Sequence, residues 1–329
     1  MNVLVVTEKE LRQCVGLDRE LIRAIEEAFS ALARGEASVP PVLSLLIPEH
    51  QGEVDVKTAY IRGWEQFAIK IASGFFENYR LGLPTGSGMM VVFSARTGMP
   101  EAVLLDNAYL TDVRTGAAGA VAADHLARSQ VRTVGMIGSG TQARYQLLAL
   151  RQVRDFQRVL VYSRNPERVQ RYIQEVGPRL GVEVVAAPSA EAVVRESEIV
   201  VTTTPSHTPY LRPEWLHAGL HITAMGSDTE EKQELYPEVL ARADLLVCDS
   251  RAQCARLGEL HHALQAGILG PDAEVVELGE ITSGRRPGRT DDEQITVCDL
   301  TGVGVQDTAI AVLAVRRAAE QGLGVTIAL

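Results

Sequence analysis

Hydrophobic and polar positions follow two different rhythms along this chain, and the change falls near Val131. Before it the pattern is mixed. A short apolar strand, Val3–Val6, leads to a helix near Asp18–Arg34, in which Leu21, Ile22, Ile25, Ala28, Phe29 and Leu32 recur at helical spacing. Asp18 suits its N-cap and Gly35 lies past its end. Three strand-like stretches follow, Glu53–Ile61, Phe67–Ser73 and Met89–Ser94, and a turn over residues 96–100 returns the chain into Glu101–Asp106 as a hairpin. An Ala-rich helix, about Asp112–Ala127, closes this α+β region.

From Val131 onward strands and helices alternate strictly. Thr133–Ile137, Val159–Tyr162, Val182–Ala186, Ile199–Thr203, His221–Met225 and Leu245–Cys248 are short β-rich runs with helical segments between most of them. That alternation predicts a parallel, doubly wound sheet. A last strand, Ile295–Cys298, precedes a helix that begins near Asp307, and its Thr308–Gln321 part is expected to pack back on the first region. The fold class is therefore α/β: a Rossmann domain over residues 126–304, and an α+β domain built from residues 1–125 with 305–329. Gly279–Asp292, with Gly284, Pro287 and Gly288, reads as a mobile loop.

Composition narrows the function classes. With 46% hydrophobic residues among 329, the chain can build two cores. Its longest apolar runs, Met89–Ala95 and Ile310–Val315, fall far short of the roughly 20 residues a bilayer requires, so no membrane span is expected. Glu8, Lys9 and Glu10 directly after the first strand do not suit a signal peptide, and a cytoplasmic location is expected. A net charge of −10 argues against nucleic acid as a partner. Cys14, Cys248, Cys254 and Cys298 are scattered without ligand spacing, and are expected to be reduced, buried thiols; no metal is expected.

Gly138-Ser139-Gly140-Thr141-Gln142-Ala143 has the form G-x-G-x-x-A, after a strand and at the start of a helix. Gly138 permits the tight turn, Gly140 lets a pyrophosphate approach the backbone, and Ala143 keeps helix and strand close. The helix N-terminus then faces the phosphates. After the second strand comes Tyr162-Ser163-Arg164-Asn165, with no carboxylate for the ribose hydroxyls. Arg164 could face a 2′-phosphate, and Ser163 would still accept NAD, so the cofactor is NAD(P) with the choice open.

Hydride chemistry needs a proton donor and cations for a substrate carboxylate. Met225-Gly226-Ser227-Asp228 follows a Rossmann strand, which sets Asp228 at the carboxyl edge of the sheet. Asp299-Leu300-Thr301-Gly302-Val303-Gly304 follows the last strand likewise, and Lys70 interrupts the apolar run Ala68–Ile71.

These stretches, together with Phe67–Lys70, Leu110–Ala118, Ile137–Ala143, Ala224–Asp228 and Leu300–Gly304, resemble the ornithine cyclodeaminase/mu-crystallin family from about residue 53 to the C-terminus. The resemblance implies a homodimer whose first domain binds substrate and builds the subunit interface. It assigns the substrate α-carboxylate to Lys70 and Arg114, with Thr85 as a further contact, and makes Asp228, alongside Lys70, catalytic. On the cofactor side it counts Gly138, Ser139, Gly140, Thr141, Gln142, Ser163, Arg164, Thr203, Met225, Ser227, Lys232, Thr301, Gly302 and Val303.

Within the family, Gly52–Tyr60 and Leu104–Arg114 look like the ectoine-utilisation branch, which is also similar to iminosuccinate reductase. Ornithine cyclodeaminase has a glutamate where this chain has Lys57, and a lysine there repels an amine-tailed substrate and attracts a second carboxylate. Reduction of a small α-imino acid, best iminosuccinate to L-aspartate, is thus expected. The alternatives are an ornithine or lysine cyclodeaminase, a pyrroline-2-carboxylate reductase, and a non-catalytic NADPH-binding protein of the mu-crystallin kind. Ser44 stands where the family usually supplies another carboxylate-binding arginine, with Arg62 a candidate replacement.

Overall fold

The computed structural model describes residues 2–328, which divide into two compact units, residues 2–114 with 303–328 and residues 115–302. In chain order the first unit opens with β1 (Asn2–Thr7), α1 (Glu8–Cys14) and α2 (Arg19–Ala33). There follow β2 (Ala37–Ser38), β3 (Leu43–Ile47), β4 (Gly52–Ile61), β5 (Gln66–Phe75), β6 (Gly86–Ser94), β7 (Pro100–Leu105) and the start of α3 (Tyr109–Leu126). The second unit runs through β8 (Thr133–Ile137), α4 (Thr141–Leu150), β9 (Arg158–Tyr162), α5 (Pro166–Leu180), β10 (Glu183–Ala186), α6 (Ala190–Arg195) and β11 (Ile199–Thr202). It continues with β12 (His221–Ala224), α7 (Pro237–Ala241), β13 (Leu245–Cys248), α8 (Arg251–Cys254), α9 (Glu259–Gln265), β14 (Val276–Glu277), α10 (Leu278–Thr282) and β15 (Thr296–Asp299). The chain returns to the first unit as α11 (Gly304–Glu320) and β16 (Val325–Ala328).

The first unit is one mixed sheet in the order β16-β1-β7-β6-β5-β4-β2, with β3 paired to β4. The amphipathic α2, capped by the Asp18 carboxylate on Leu21 N, packs on α11, which in turn packs on β4 and β5. Thr308 staples α11 down: its hydroxyl donates to Ala59 O at 2.7 Å and accepts from Ala68 N at 3.2 Å. Gly304 allows this approach, since a Cβ there would lie 2.4 Å from Thr58 O. Besides the two-residue β2, three elements of this unit go beyond the sequence reading. They are α1, whose seven residues show too little periodicity to read, the exposed β3, and β16, which pairs antiparallel with β1.

The second unit is an all-parallel sheet, β10-β9-β8-β11-β12-β15-β13-β14, as the alternating pattern predicts. Both faces are buried, which is why its strands read as continuous apolar runs. Val134, Met136, Val159 and Val161 join one core cluster, while Ile137, Leu160 and Ile222 join the other. All four cysteines are buried and unbridged. The expectation of a mobile loop at Gly279–Asp292 is overturned. Residues 278–282 form α10, and Arg289 donates to Leu126 O (2.6 Å), Gln294 O (2.6 Å), Leu220 O (3.2 Å) and Thr296 Oγ1 (3.1 Å). Glycine and proline gave the segment a loop-like composition; one arginine anchors it. No helix among the described residues is long and apolar enough to cross a membrane.

Candidate active site

In the second unit the turn between β8 and α4 has the geometry a pyrophosphate requires. Gly138 has φ +119°, and a Cβ on it would lie 2.4 Å from Thr203 Oγ1. Thr203 is held there by its own N–H and hydroxyl, both on Ile137 O, at 2.9 and 3.3 Å. Nothing lies within 4 Å of the position a Cβ on Gly140 would take, so the backbone ahead of Thr141 and Gln142 faces open space at the N-terminus of α4. Ala143 is fully buried behind it. Arg144, which the motif does not specify, folds back and donates to Ser139 O (2.8 Å) and Gly140 O (2.9 Å), which rigidifies the turn. Ser139 donates to Ser163 Oγ (3.0 Å), and Ser163 to Asn165 O (3.2 Å), while Arg164 is exposed. These residues fit a dinucleotide: a cradle closed to side chains, a helix N-terminus and hydroxyls at the end of β9.

The neighbouring strand ends carry the other expected residues. Met225 N donates to Thr202 O at 3.1 Å. Two residues on, the Ser227 hydroxyl donates to Lys232 O, and Lys232 Nζ sits 2.6 Å from Asp228 Oδ1. Asp228 itself is about half exposed, at 53% of its side chain. Beyond β15, the buried Asp249 accepts from Thr301 N (2.9 Å), Thr301 Oγ1 (3.0 Å) and Gly302 N (2.6 Å), so that loop too is fixed by one carboxylate.

In the first unit the cations converge. Lys57 on β4 lies directly opposite Lys70 on β5 in the antiparallel register, a like-charge pair that is unfavourable unless an anion accompanies it. Lys70 and Arg114 are almost wholly buried, and so is the carboxylate they share. Lys70 Nζ is 3.1 Å from Asp307 Oδ2, and Arg114 Nε is 3.0 Å from Asp307 Oδ1. Arg114 also donates to Gln306 Oε1 (3.0 Å), which accepts in turn from Val303 N (3.2 Å). Burial pushes Lys70 down to about 7, against the pull of Asp307 and with the push of Arg114 and Lys57. Burial also works to raise Asp307, but Lys70, Arg114 and Lys57 hold it below the ordinary carboxylate value. Asp106, whose Oδ2 caps α3 through Leu110 N at 2.9 Å, is pushed up to about 6 by burial, and its buried Oδ1 has no hydrogen-bond partner. Lys70 and Arg114 thus share one ionised carboxylate, with Lys57 set alongside Lys70.

Not every expected residue joins this group. Thr85 is exposed and precedes β6 opposite Phe75, five residues along β5 from Lys70, or roughly 17 Å of extended strand. Ser44 donates to Asp55 Oδ1 at 2.6 Å, and Arg62 is exposed beyond the end of β4, so neither supplies the cation that position 44 lacks. The sequence reading missed Asp307 and Gln306. An acidic residue in a first helical turn looks like ordinary dipole compensation, and nothing local marks it as a partner for Lys70.

A doubly wound parallel sheet with a glycine cradle under one helix defines the class, a Rossmann dinucleotide-binding protein. The chain belongs to the ornithine cyclodeaminase/mu-crystallin family, whose model matches residues 1–322, and it is a nicotinamide-dinucleotide-dependent oxidoreductase of that family. It is 50% identical over 322 residues to a putative dehydrogenase of Rhizobium meliloti, covering 98% of each chain. Among solved structures it is similar to an archaeal alanine dehydrogenase dimer with bound NAD, at 35% identity and a TM-score of 0.92 over 100% of each chain. It is similar also to the iminosuccinate reductase of Paracoccus denitrificans in complex with NAD+, at 32% identity and a TM-score of 0.93 over 100% of each chain. A Delta(1)-pyrroline-2-carboxylate reductase of Thermococcus litoralis, in complex with NADH and L-proline, matches at 30% identity and a TM-score of 0.93 over 99% of this chain and 100% of that one.

Proposed function

We propose that the chain reduces a small α-imino acid with NADH, and that its substrate is iminosuccinate and its product L-aspartate. The observation that carries this reading is the placing of Lys57 opposite Lys70, with Lys70 and Arg114 both paired to the buried Asp307. A dicarboxylate can offer one carboxylate to Arg114 and Lys70 and another to Lys57, whereas a monocarboxylate reaches only one of these two positions. A diamino acid would bring a further cation to it.

A nicotinamide dinucleotide, when bound, would supply the hydride. Arg114, fixed by Asp307 and Gln306, and Lys70 orient the α-carboxylate, and a substrate anion beside Lys70 draws that amine towards its charged form. Asp228, steadied by Lys232, delivers the proton to the imine nitrogen, directly or through one water. Acid catalysis of this kind contributes about 10²–10⁴ in rate, with orientation supplying several kcal/mol more. Gly138, Gly140, Ser139 and Ser163 would hold the dinucleotide. The similarity to NAD(H)-bound relatives supports NADH over NADPH. The chain is also proposed to act as a homodimer: β3 exposes Leu43, Leu45 and Leu46 at 62, 56 and 67%, an apolar edge of the kind a second subunit covers.

The test is oxidation of NADH and NADPH by the purified protein with oxaloacetate plus ammonia, pyruvate plus ammonia, or pyrroline-2-carboxylate. Aspartate formation confined to the dicarboxylate, and lost in Lys57→Glu, supports the reading. Equal turnover of the monocarboxylates, indifferent to Lys57→Glu, removes the distal-carboxylate role. Ammonia release from ornithine with no net change in NADH overturns the reductase reading altogether. Near-normal turnover in Asp228→Asn with intact cofactor binding removes the acid/base role.

A further inference from the structure

One buried carboxylate in the second unit takes no part in the chemistry above. Glu234 is fully buried, and its two oxygens accept five hydrogen bonds. Oε1 accepts from Thr204 N (2.6 Å), Thr204 Oγ1 (2.6 Å) and the Tyr210 hydroxyl (2.7 Å). Oε2 accepts from Thr202 Oγ1 (2.6 Å) and Gly226 N (2.8 Å). Thr202 ends β11, and Gly226 lies just past β12, two residues before Asp228. The side chain thus ties together the carboxyl ends of two adjacent parallel strands.

The Glu234 backbone is held from behind. Glu234 N and Leu235 N donate to the two oxygens of the buried Glu259, at 2.8 and 3.1 Å. The absence of a side chain at Gly226 is required here, since a Cβ would lie 2.4 Å from Glu234 Oε2 and 2.3 Å from Thr204 O. Residues 226–234 therefore form a loop whose first and last members meet at one carboxylate. Inside it Ser227 donates to Lys232 O, His262 Nε2 lies 2.9 Å from the same carbonyl, and Lys232 pairs with Asp228.

We propose that Glu234 is a positioning residue, which closes the 226–234 loop and so sets where the Asp228 carboxyl group lies against the ends of β11 and β12. The inference rests on the reading of Asp228 as the acid/base. Two of the five donors are backbone N–H groups, Thr204 N and Gly226 N, which can only donate and which meet different oxygens of the carboxylate. A glutamine keeps one acceptor oxygen and presents an NH₂ group to whichever of the two it fails, so Glu234→Gln must release one strand end from the loop.

The experiment compares the full-length protein with Glu234→Gln, Tyr210→Phe and Thr202→Val, the last two removing one donor each. Hydrogen exchange of residues 226–233 is measured alongside kcat, KM, the pH profile and thermal unfolding. For Glu234→Gln a retained cooperative transition is expected, with faster exchange confined to the loop. A fall in kcat of about 10²-fold is expected, the size associated with a misplacement near 1 Å, with KM little changed. The pH-profile limb that Asp228→Asn removes is expected to shift. Tyr210→Phe and Thr202→Val should give smaller changes in the same direction; if Glu234→Gln does not fold, they carry the test. Wild-type loop exchange, or a loss of kcat with an unshifted pH profile, overturns the proposal. A loosened loop in Glu234→Gln beside normal turnover in Asp228→Asn overturns instead the reading of Asp228 on which it rests.

Discussion

Replacing Asp307 with asparagine keeps its shape and removes the ionised carboxylate that Lys70 and Arg114 share. Breaking a buried pair by removing one partner costs about 3–5 kcal/mol, because a charge is left uncompensated. Here the cost depends on pH. Lys70 in the folded protein titrates near 7, below its ordinary 10.5. The unfolded chain therefore holds that proton more tightly, and the contribution of Lys70 to stability is lost as pH falls through this window towards 7. Without Asp307 the Lys70 value drops further and the window extends lower. At about pH 8.5 Lys70 is largely neutral in either protein, so the loss is mainly that of Arg114, about 3 kcal/mol. At about pH 6 the wild type keeps a charged Lys70 paired, and the variant forfeits a further ~1.4 kcal/mol per unit of lowered pKa, which brings the loss nearer 5 kcal/mol. At roughly 3 °C per kcal/mol, Tm should fall by about 9 °C at the higher pH and about 15 °C at the lower one. Thermal unfolding at the two pH values measures this. A Tm within about 3 °C of wild type at both, or a loss independent of pH, would refute the view of Asp307 as the counter-ion of the cluster.

Three further outcomes are expected. Gly138→Ala should fold normally and lose at least about tenfold in NADH affinity by fluorescence titration, because its Cβ meets Thr203 at a positive φ. His221, fully buried between Thr296 and Thr223, is pushed down to about 3 by burial and by nearby Arg289 and Arg154. Its depressed value means that stability present above about pH 6.5 is lost as pH falls towards 3, so the gap in urea midpoint between wild type and His221→Gln should shrink on acidification. Asp106 is raised to about 6, so its contribution is lost as pH rises through that value. Asp106→Asn, which retains an oxygen for Leu110 N, should have a Tm at about pH 8 no lower than wild type, and a large drop would contradict the account of that carboxyl group.

The second unit was the more legible half of the sequence. A strand buried on both faces reads as a run of β-branched residues, and G-x-G-x-x-A carries its backbone requirement in three letters. Lys70 also stood out, since a cation in an apolar run is anomalous, whereas Arg114 was found only through the family resemblance. The groups that hold these residues did not. Asp307 lies 193 positions from Arg114, and Glu234, Asp249 and Glu259 each look like surface acids until the fold turns them inward. A satisfied buried carboxylate owes its meaning to donors supplied by distant segments, and no local pattern encodes them. The segment 279–292 shows the converse error, in which composition suggested freedom and the long-range bonds of Arg289 removed it.

Below about pH 7, where Lys70 is charged, its place beside Lys57 carries a repulsion that a bound dianion would relieve. Part of its stability has been exchanged for affinity in advance, and binding returns it as heat resistance. The melting temperature is then a reporter of occupancy that needs no turnover. A panel of mono- and dicarboxylates ranked by the upward shift each produces would read the preference of this cluster directly, from the protein alone and without a coupled reaction.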